Sequence, residues 1–195
     1  MQMVFRRRFS GIWIKKSDRE TSFPVSTRIP MKKRMVGVKS MKKNIKMCFA
    51  ASSGGHFEQL MMLKPLMKKY DSFILTEKTL YKANSKDTKT YYVAQVNRKE
   101  KLFLIKMFWI SVQSFWIFIK ERPDVIVCTG VLATIPICLI MKMFRKKLIY
   151  IESFAKVSSP TLSGKLLYKY ADQFYVQWES MKEFYPNAIC LGGIY

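Results

Sequence analysis

Histidine and acid are what this sequence has least of. It holds a single histidine, His56, and 13 Asp or Glu against 35 Lys or Arg in 195 residues, a formal charge of +22. Its four cysteines, Cys48, Cys128, Cys138 and Cys190, form no Cys-x-x-Cys pair. One histidine and scattered thiols exclude a His/Cys zinc cluster. Three of the cysteines sit in apolar runs, where they read as reduced, buried small hydrophobes of a cytosolic protein. No Asp-x-Asp motif is present, so neither a metal nor another cofactor is expected.

What is there is apolar. Hydrophobic residues make up 49% of the chain and aromatics 14%, which rules out a disordered polycation, since such chains lack the branched and aromatic residues that build a core. The length suits one domain. The positive field then calls for a polyanionic partner, either nucleic acid or the anionic face of a membrane. Residues 1–43 carry 13 basic residues and two acids, Asp18 and Glu20, a net +11 and so half of the total. That stretch has no hydrophobic periodicity and no apolar core of signal-peptide length. It reads as a flexible basic extension, either merely solvated or a polybasic tether in which each Lys or Arg near an anionic leaflet contributes roughly 1 kcal/mol. Met31, Met35 and Met41 are alternative starts.

From residue 44 the texture changes to short apolar runs alternating with helical patterns. Strands are predicted over 45–51, 72–76, 90–94, 124–128, 148–151, 173–176 and 188–191. Helices are predicted over 57–70, 99–120, 132–143 and 162–170, with a short one before the last strand. Continuously apolar strands that alternate with helices signal a parallel sheet covered on both faces. The expected fold class is therefore α/β, a Rossmann-like domain over 44–195. In such sheets ligands gather at the carboxyl ends of the strands, so the loops there are where chemistry is sought.

Three loops at that edge carry candidates. After the first strand comes SSGGH, Ser52, Ser53, Gly54, Gly55 and His56. Its glycines allow close backbone approach, and the free N–H groups of a helix start favour an anion such as a diphosphate; a plain strand-to-helix turn is the bland alternative. His56 either donates to a phosphate or orients an acceptor hydroxyl, or else caps the helix. Thr129 and Gly130 end the strand 124–128, with Pro136 inside the next helix. Glu152 and Ser153 end the strand 148–151; Glu152 accepts from a sugar hydroxyl or acts as a general base, or pairs with one of the lysines. The polar loop 156–163 reads as a mobile flap or a simple connection.

Residues 102–119 would make a helix of about 27 Å, close to the thickness of a bilayer core. Lys106 and Gln113 interrupt this run, and with Lys99 and Lys120 they recur every seven residues along one narrow stripe. If the segment crossed a membrane, the strands before and after it could not pair in one sheet. It is therefore placed on the sheet with Phe108, Trp109, Phe115 and Trp116 among the residues that dip into the membrane interface. The alternative is a wholly buried core helix.

FAASSGGHFEQL, DVIVCTG, YIESFAKVSSPTLSGKLLY and DQFYVQW, in this order and spacing, resemble bacterial capsular and exopolysaccharide biosynthesis proteins. Those proteins are related to the membrane-anchoring subunit of the two-subunit UDP-N-acetylglucosamine transferase of asparagine-linked glycosylation. The resemblance spans residues 44–195 and implies the acceptor-side half of a GT-B glycosyltransferase, with the UDP-sugar bound by a separate catalytic subunit. A more distant likeness to the peptidoglycan N-acetylglucosamine transferase implies a cleft lined by the same loops. By that analogy Ser53, Gly54, Gly55 and His56 face a polyprenyl-diphosphate-linked acceptor, Thr129 and Gly130 line the cleft, and Glu152 and Ser153 contact the acceptor sugar. This sequence lacks the second glycine-rich run that the peptidoglycan enzyme has after the position of Gly130.

A GT-B enzyme needs two Rossmann-like domains, and the chain reaches Gly192, Gly193, Ile194 and Tyr195 where a linker to the second would begin, so these four are expected at the partner interface. The resulting expectation is a membrane-associated accessory subunit at the cytoplasmic face of a bacterial plasma membrane. It would recruit a catalytic partner and present a lipid-linked acceptor. A self-sufficient nucleotide-sugar transferase is the second reading. A nucleic-acid-binding module is the third, disfavoured because no nucleic-acid motif is present and the aromatics cluster in the apolar helix.

Overall fold

Strands with apolar residues on both faces must be covered on both, and among the described residues seven strands lie side by side in one sheet. The computed structural model describes residues 45–78, 88–130 and 132–194; the basic extension and Tyr195 fall outside the described residues. The strands are β1 (Lys46–Ala50), β2 (Asp71–Glu77), β3 (Lys89–Val93), β4 (Val125–Cys128), β5 (Lys147–Ile151), β6 (Gln173–Val176) and β7 (Ile189–Cys190). All are parallel, in the order β3-β2-β1-β4-β5-β6-β7. The order reverses between β1 and β4, so the loops leaving these neighbours diverge and open a crevice at their carboxyl ends.

Alternate residues of each strand face opposite sides. On one side α1 (Gly55–Met61) and α2 (Lys64–Met67) cover a cluster built on Met47, Phe49, Ile74, Val127 and Ile151. On the other, α3 (Phe103–Glu121), α4 (Ile135–Met143) and α5 (Leu162–Tyr168) cover Cys48, Phe73, Leu75, Ile126, Leu148 and Phe174. Each fully buried Leu, Ile or Phe contributes about 1.5–3 kcal/mol.

Three helices differ from their sequence pattern. The helix expected over 57–70 is two, because Pro65 has no N–H to continue the ladder and is tolerated only in a first turn; α2 accordingly begins at Lys64 with Pro65 behind it. The helix expected from residue 99 begins at Phe103. Asn97 instead starts a turn, its side chain accepting from the Lys99 N–H at 3.1 Å. The segment 132–143 is a 3-10 turn (Leu132–Thr134) followed by α4 with Pro136 in its first turn. At its far end α3 stops at Arg122, which adopts a left-handed conformation (φ 48°) before Pro123.

The strands flanking α3 lie in the same parallel sheet, so α3 runs along the sheet. Its last residue, Glu121, has a side chain only 4% exposed, with Lys46 Nζ at 2.6 Å and Lys89 Nζ at 2.5 Å, and it also accepts from the Tyr91 hydroxyl. Lys46 opens β1 and Lys89 opens β3, so one carboxylate ties the foot of α3 to two strand starts. Burial alone would raise its pKa; the hydrogen bonds from Lys46, Lys89 and Tyr91 hold it down at about 2. A folded pKa below the unfolded value of about 4.5 means that the stabilisation is complete above that pH and drains as pH falls toward 2. Glu121→Gln should cost about 2 kcal/mol at neutral pH. The gap in melting temperature between wild type and variant should close near pH 2, and a gap independent of pH would contradict this account.

Candidate functional site

The loops after β1 and β4 are stitched to each other across the crevice. Ser52 N–H donates to Gly130 O at 3.0 Å, and Thr129 N–H to Ala50 O at 3.1 Å. His56, the second residue of α1, places Nδ1 2.8 Å from Thr129 O, while Thr129 Oγ1 donates to His56 O at 2.9 Å. A carbonyl only accepts, so Nδ1 carries a proton, and in the neutral tautomer this selects the lone pair lies on Nε2. His56 does not cap its helix: the N-cap is Gly54, with no side-chain cap bond. Gly54 takes φ +72°, Gly130 takes φ +100°, and a Cβ on Gly130 would sit 3.5 Å from the His56 ring and 3.3 Å from the Tyr150 hydroxyl.

These contacts sort the expected residues. Gly54 and Gly55 are exposed, and Ser53, His56 and Ser153 are half-buried; a Cβ added to either glycine would meet nothing within 4 Å. This is open rim. Ser52 and Thr129, expected among the diphosphate-binding residues, are buried; Thr129 Oγ1 is engaged across the two loops, whereas Ser52 Oγ–H donates within its own loop to Ser53 O at 3.4 Å.

Glu152 also turns inward. It is 1% exposed, and its carboxylate accepts from Thr161 Oγ1 at 2.9 Å, Tyr185 OH at 2.9 Å and the Ser153 N–H at 2.9 Å. Among the described residues it forms no ion pair with a lysine, and its side-chain partners are neutral donors. Thr161 is at once the N-cap of α5, accepting from the Gly164 N–H at 2.8 Å. Glycine is required at 164, since a Cβ there would lie 2.2 Å from Glu152 Oε2. Burial, then the neighbouring carboxylate, pushes the Tyr185 phenol far above its usual range. Glu152 therefore anchors both ends of the loop 153–161. Its backbone carbonyl accepts from Gln59 Nε2 at 3.1 Å and Gln177 Nε2 at 2.9 Å.

The end of the described chain closes over the same edge. Ile194 N–H donates to Gln177 Oε1 at 3.1 Å, and Gly193 passes so close to Phe154 that a Cβ would lie 2.9 Å from its ring. Gly192 and Gly193 are exposed and Ile194 is half-buried.

The outer face of α3 is bare. Leu104, Ile105, Phe108, Trp109 and Trp116 are 77%, 65%, 70%, 59% and 67% exposed, and Phe115 is 40% exposed. Of the described helices it alone is long and apolar enough to cross a membrane, and only 17% of its most apolar stretch is buried. The opposite face, with Ile110, Ser114, Ile117 and Phe118, is buried. The alternative of a wholly buried core helix is thus excluded. Lys106 stands beside the apolar face and is ion-paired with Glu100.

Sequence reasoning missed Glu77. This last residue of β2 is 7% exposed and takes Ser53 Oγ–H at 3.4 Å. Burial pushes its carboxyl above the ordinary carboxylate range, against the N–H and O–H of Ser53 and the N–H of Val96. An acid ending an apolar strand was the available signal, the same that marked Glu152.

A model of the family described as "Oligosaccharide biosynthesis protein Alg14 like" matches residues 47–194. The chain is 25% identical over 183 residues to the UDP-N-acetylglucosamine transferase subunit ALG14 of Mus musculus, covering 78% of this chain and 84% of that one. It is 30% identical over 170 residues to the Yarrowia lipolytica subunit, covering 74% and 79%. For the human subunit the match is 29% over 119 residues, covering 53% and 54%. Among solved structures, Acinetobacter baumannii MurG aligns with a TM-score of 0.58 at 11% identity, over 70% of this chain and 42% of that one. The UDP-GlcNAc 2-epimerase of Methanocaldococcus jannaschii aligns with a TM-score of 0.61 at 12% identity, over 76% and 46%. This chain thus spans under half the length of those structures and about half of the human subunit. The structural likenesses establish the fold alone, the expected Rossmann-like half.

Glu152→Ala should strand two buried hydroxyl donors, cost about 3 kcal/mol in denaturant unfolding and accelerate amide exchange at Thr161 and Gly164. A variant of full stability that has lost activity would make Glu152 a chemical rather than an architectural group.

Proposed function

The chain belongs to the Alg14-like family of oligosaccharide biosynthesis proteins, and from that premise we propose that it is a membrane-associated accessory subunit of a heteromeric glycosyltransferase in bacterial polysaccharide synthesis. It recruits a donor-binding catalytic subunit to the cytoplasmic face of the plasma membrane. There it presents a polyprenyl-diphosphate-linked acceptor to a UDP-sugar held by the partner. The observation that carries this reading is the pairing of a bare apolar helix with a glycine-lined rim. The chain leaves β3 at its carboxyl end and enters α3 at Phe103, so the helix begins beside the edge where the rim lies.

Within this reading each group has a physical task. Gly54 and Gly55 let backbone N–H groups approach a diphosphate closely. His56, with Nδ1–H held by Thr129 O, offers Nε2 to the acceptor hydroxyl as an orienting or proton-accepting group. Ser53 and Ser153 stand at the two sides of the same edge. Phe108, Trp109, Phe115 and Trp116 enter the interfacial layer, where amphipathic aromatic rings are favoured, with Lys106 at its margin. Gly192, Gly193, Ile194 and Tyr195 are assigned to the partner interface. No metal or cofactor is assigned to this chain.

Co-expression with the product of the neighbouring reading frame, followed by co-purification and a transfer assay on a lipid-linked acceptor, tests the proposal. Activity should require both chains, and calorimetry should detect no saturable UDP-sugar binding to this chain alone. Micromolar binding by the isolated chain would instead favour a self-sufficient transferase. Trp109→Glu combined with Trp116→Glu should move the folded protein from the membrane pellet to the soluble fraction. Unchanged sedimentation of a folded double variant would refute the placement of α3.

A further inference from the structure

A side-chain amide taken out of water leaves donors and an acceptor to be satisfied, and leaving them unpaired is costly. Gln59 and Gln177 are 1% and 5% exposed, and each places both ends of its amide on backbone. Gln59 Nε2–H donates to Glu152 O at 3.1 Å, while its Oε1 accepts from the Phe154 N–H at 3.3 Å. Gln177 Nε2–H donates to the same Glu152 O at 2.9 Å, and its Oε1 accepts from the Ile194 N–H at 3.1 Å. A carbonyl oxygen has two lone pairs, and the two amides take one each. Four segments therefore meet at one peptide group: α1, the loop after β5, the residue that follows β6, and the end of the described chain. Trp178, beside Gln177, ties the same loop again by donating from Nε1 to Phe154 O at 2.7 Å.

α1 has seven residues, too few to hold a helix unaided, so its place depends on what its side chains grip. His56 grips Thr129 on the β4 side. Gln59, nearly one turn further on, grips the loop after β5. We propose that Gln59 and Gln177 are positioning residues that, through the Glu152 carbonyl they share, hold the helix bearing His56 in register with the chain end at Gly193 and Ile194, so that a catalytic subunit seated on that end sets the aim of the His56 ring. This rests on the readings of His56 as an acceptor-facing group and of residues 192–195 as the partner interface. Both glutamines are buried and act only through other groups. An immobilised Ile194 fixes the Gln177 amide, that amide fixes the peptide carbonyl of Glu152, and the carbonyl fixes Gln59 and with it α1. Hydrogen bonds linked in this way strengthen one another, so loss of one donor weakens the rest.

His56 is the chain's single histidine, so isotopic labelling of histidine nitrogen in the full chain gives one imidazole whose Nδ1 and Nε2 signals report its tautomer. Gln59→Met and Gln177→Met, which nearly conserve volume, should each move those signals toward the averaged position of a ring that exchanges tautomers freely. Ile194→Pro removes the backbone donor to Gln177 and should move them the same way. Ile194→Ala keeps that N–H and should leave them in place, which separates the hydrogen bond from side-chain packing. In transfer assays on the full chain co-expressed with its catalytic subunit, each glutamine variant should lower kcat about tenfold, with the acceptor and UDP-sugar KM within about threefold, since the group displaced acts in the transition state. In a His56→Ala background neither should lower kcat further, because residues acting through one another are non-additive; a merely structural role would lower it again. Signals unmoved by Ile194→Pro overturn the link to the chain end. An unchanged kcat in Gln59→Met, or an equal further loss in the His56→Ala background, overturns the positioning role. Should the glutamine variants fail to fold, Ile194→Pro carries the same prediction in both measurements. Transfer by wild type that falls in His56→Ala but not in the glutamine variants removes this inference alone. A wild type without transfer, or a His56→Ala with full transfer, removes the reading of the site on which it stands.

Discussion

Parallel strands whose order reverses must part company at the reversal, and everything at the rim depends on how β1 and β4 are held where they part. Two hydrogen bonds between His56 and Thr129, one from ring to carbonyl and one from hydroxyl to carbonyl, close that gap. Ser52 N–H to Gly130 O adds a third tie. The cost is that the Thr129 hydroxyl proton and the facing backbone groups of both loops are committed to the join. The gain is a histidine of defined tautomer beside two open glycines. A free strand-to-helix turn would supply neither, since an untethered ring exchanges tautomers and rotamers freely.

The same trade recurs at Glu152. A carboxylate at a strand end is a candidate base by position, but this one is surrounded by a threonine, a tyrosine and a backbone amide, and glycine is the one residue that fits opposite it. Buried networks of this kind are stable only when every member is satisfied. The loop between Glu152 and Thr161 thus has fixed ends, while its middle, Val157 to Ser159, remains exposed. Even that middle is tied, since Val157 O accepts from Ser180 Oγ–H.

Strands were legible because a continuous apolar run has few other outcomes, and the predicted sheet edges fall within two residues of the observed ones. The break between α1 and α2 was hidden by apolar periodicity, which runs through Leu63, Leu66 and Met67 and outweighed Pro65. Strand-end position identified the right edge for Ser52, Thr129 and Glu152, yet it carries no information on which way a side chain turns. That depends on partners such as Tyr185, 33 residues away. Glu77 escaped because the strand was read as ending at Thr76, one residue short. The exposure of α3 was legible by counting neighbours: a helix apolar on nearly every side, in a domain with one sheet, cannot cover both its faces.

Charge distribution adds a last constraint on how such a domain sits against a surface. Toward the amino ends of the strands, lysines are paired with Asp71, Glu121, Asp124 and Asp172, with Arg122 and Arg145 exposed beside them. Toward the rim, Arg98, Lys99 and Lys101 are exposed on the run into α3, and among the described residues they enter no ion pair with an acid. The next residues, Leu102, Leu104 and Ile105, begin the bare apolar face. Basic groups immediately beside exposed aliphatic and aromatic side chains combine electrostatic attraction with apolar insertion, and neither contribution alone orients a helix. On the membrane reading, this basic run directly before bare apolar residues suits the start of α3 to an anionic leaflet.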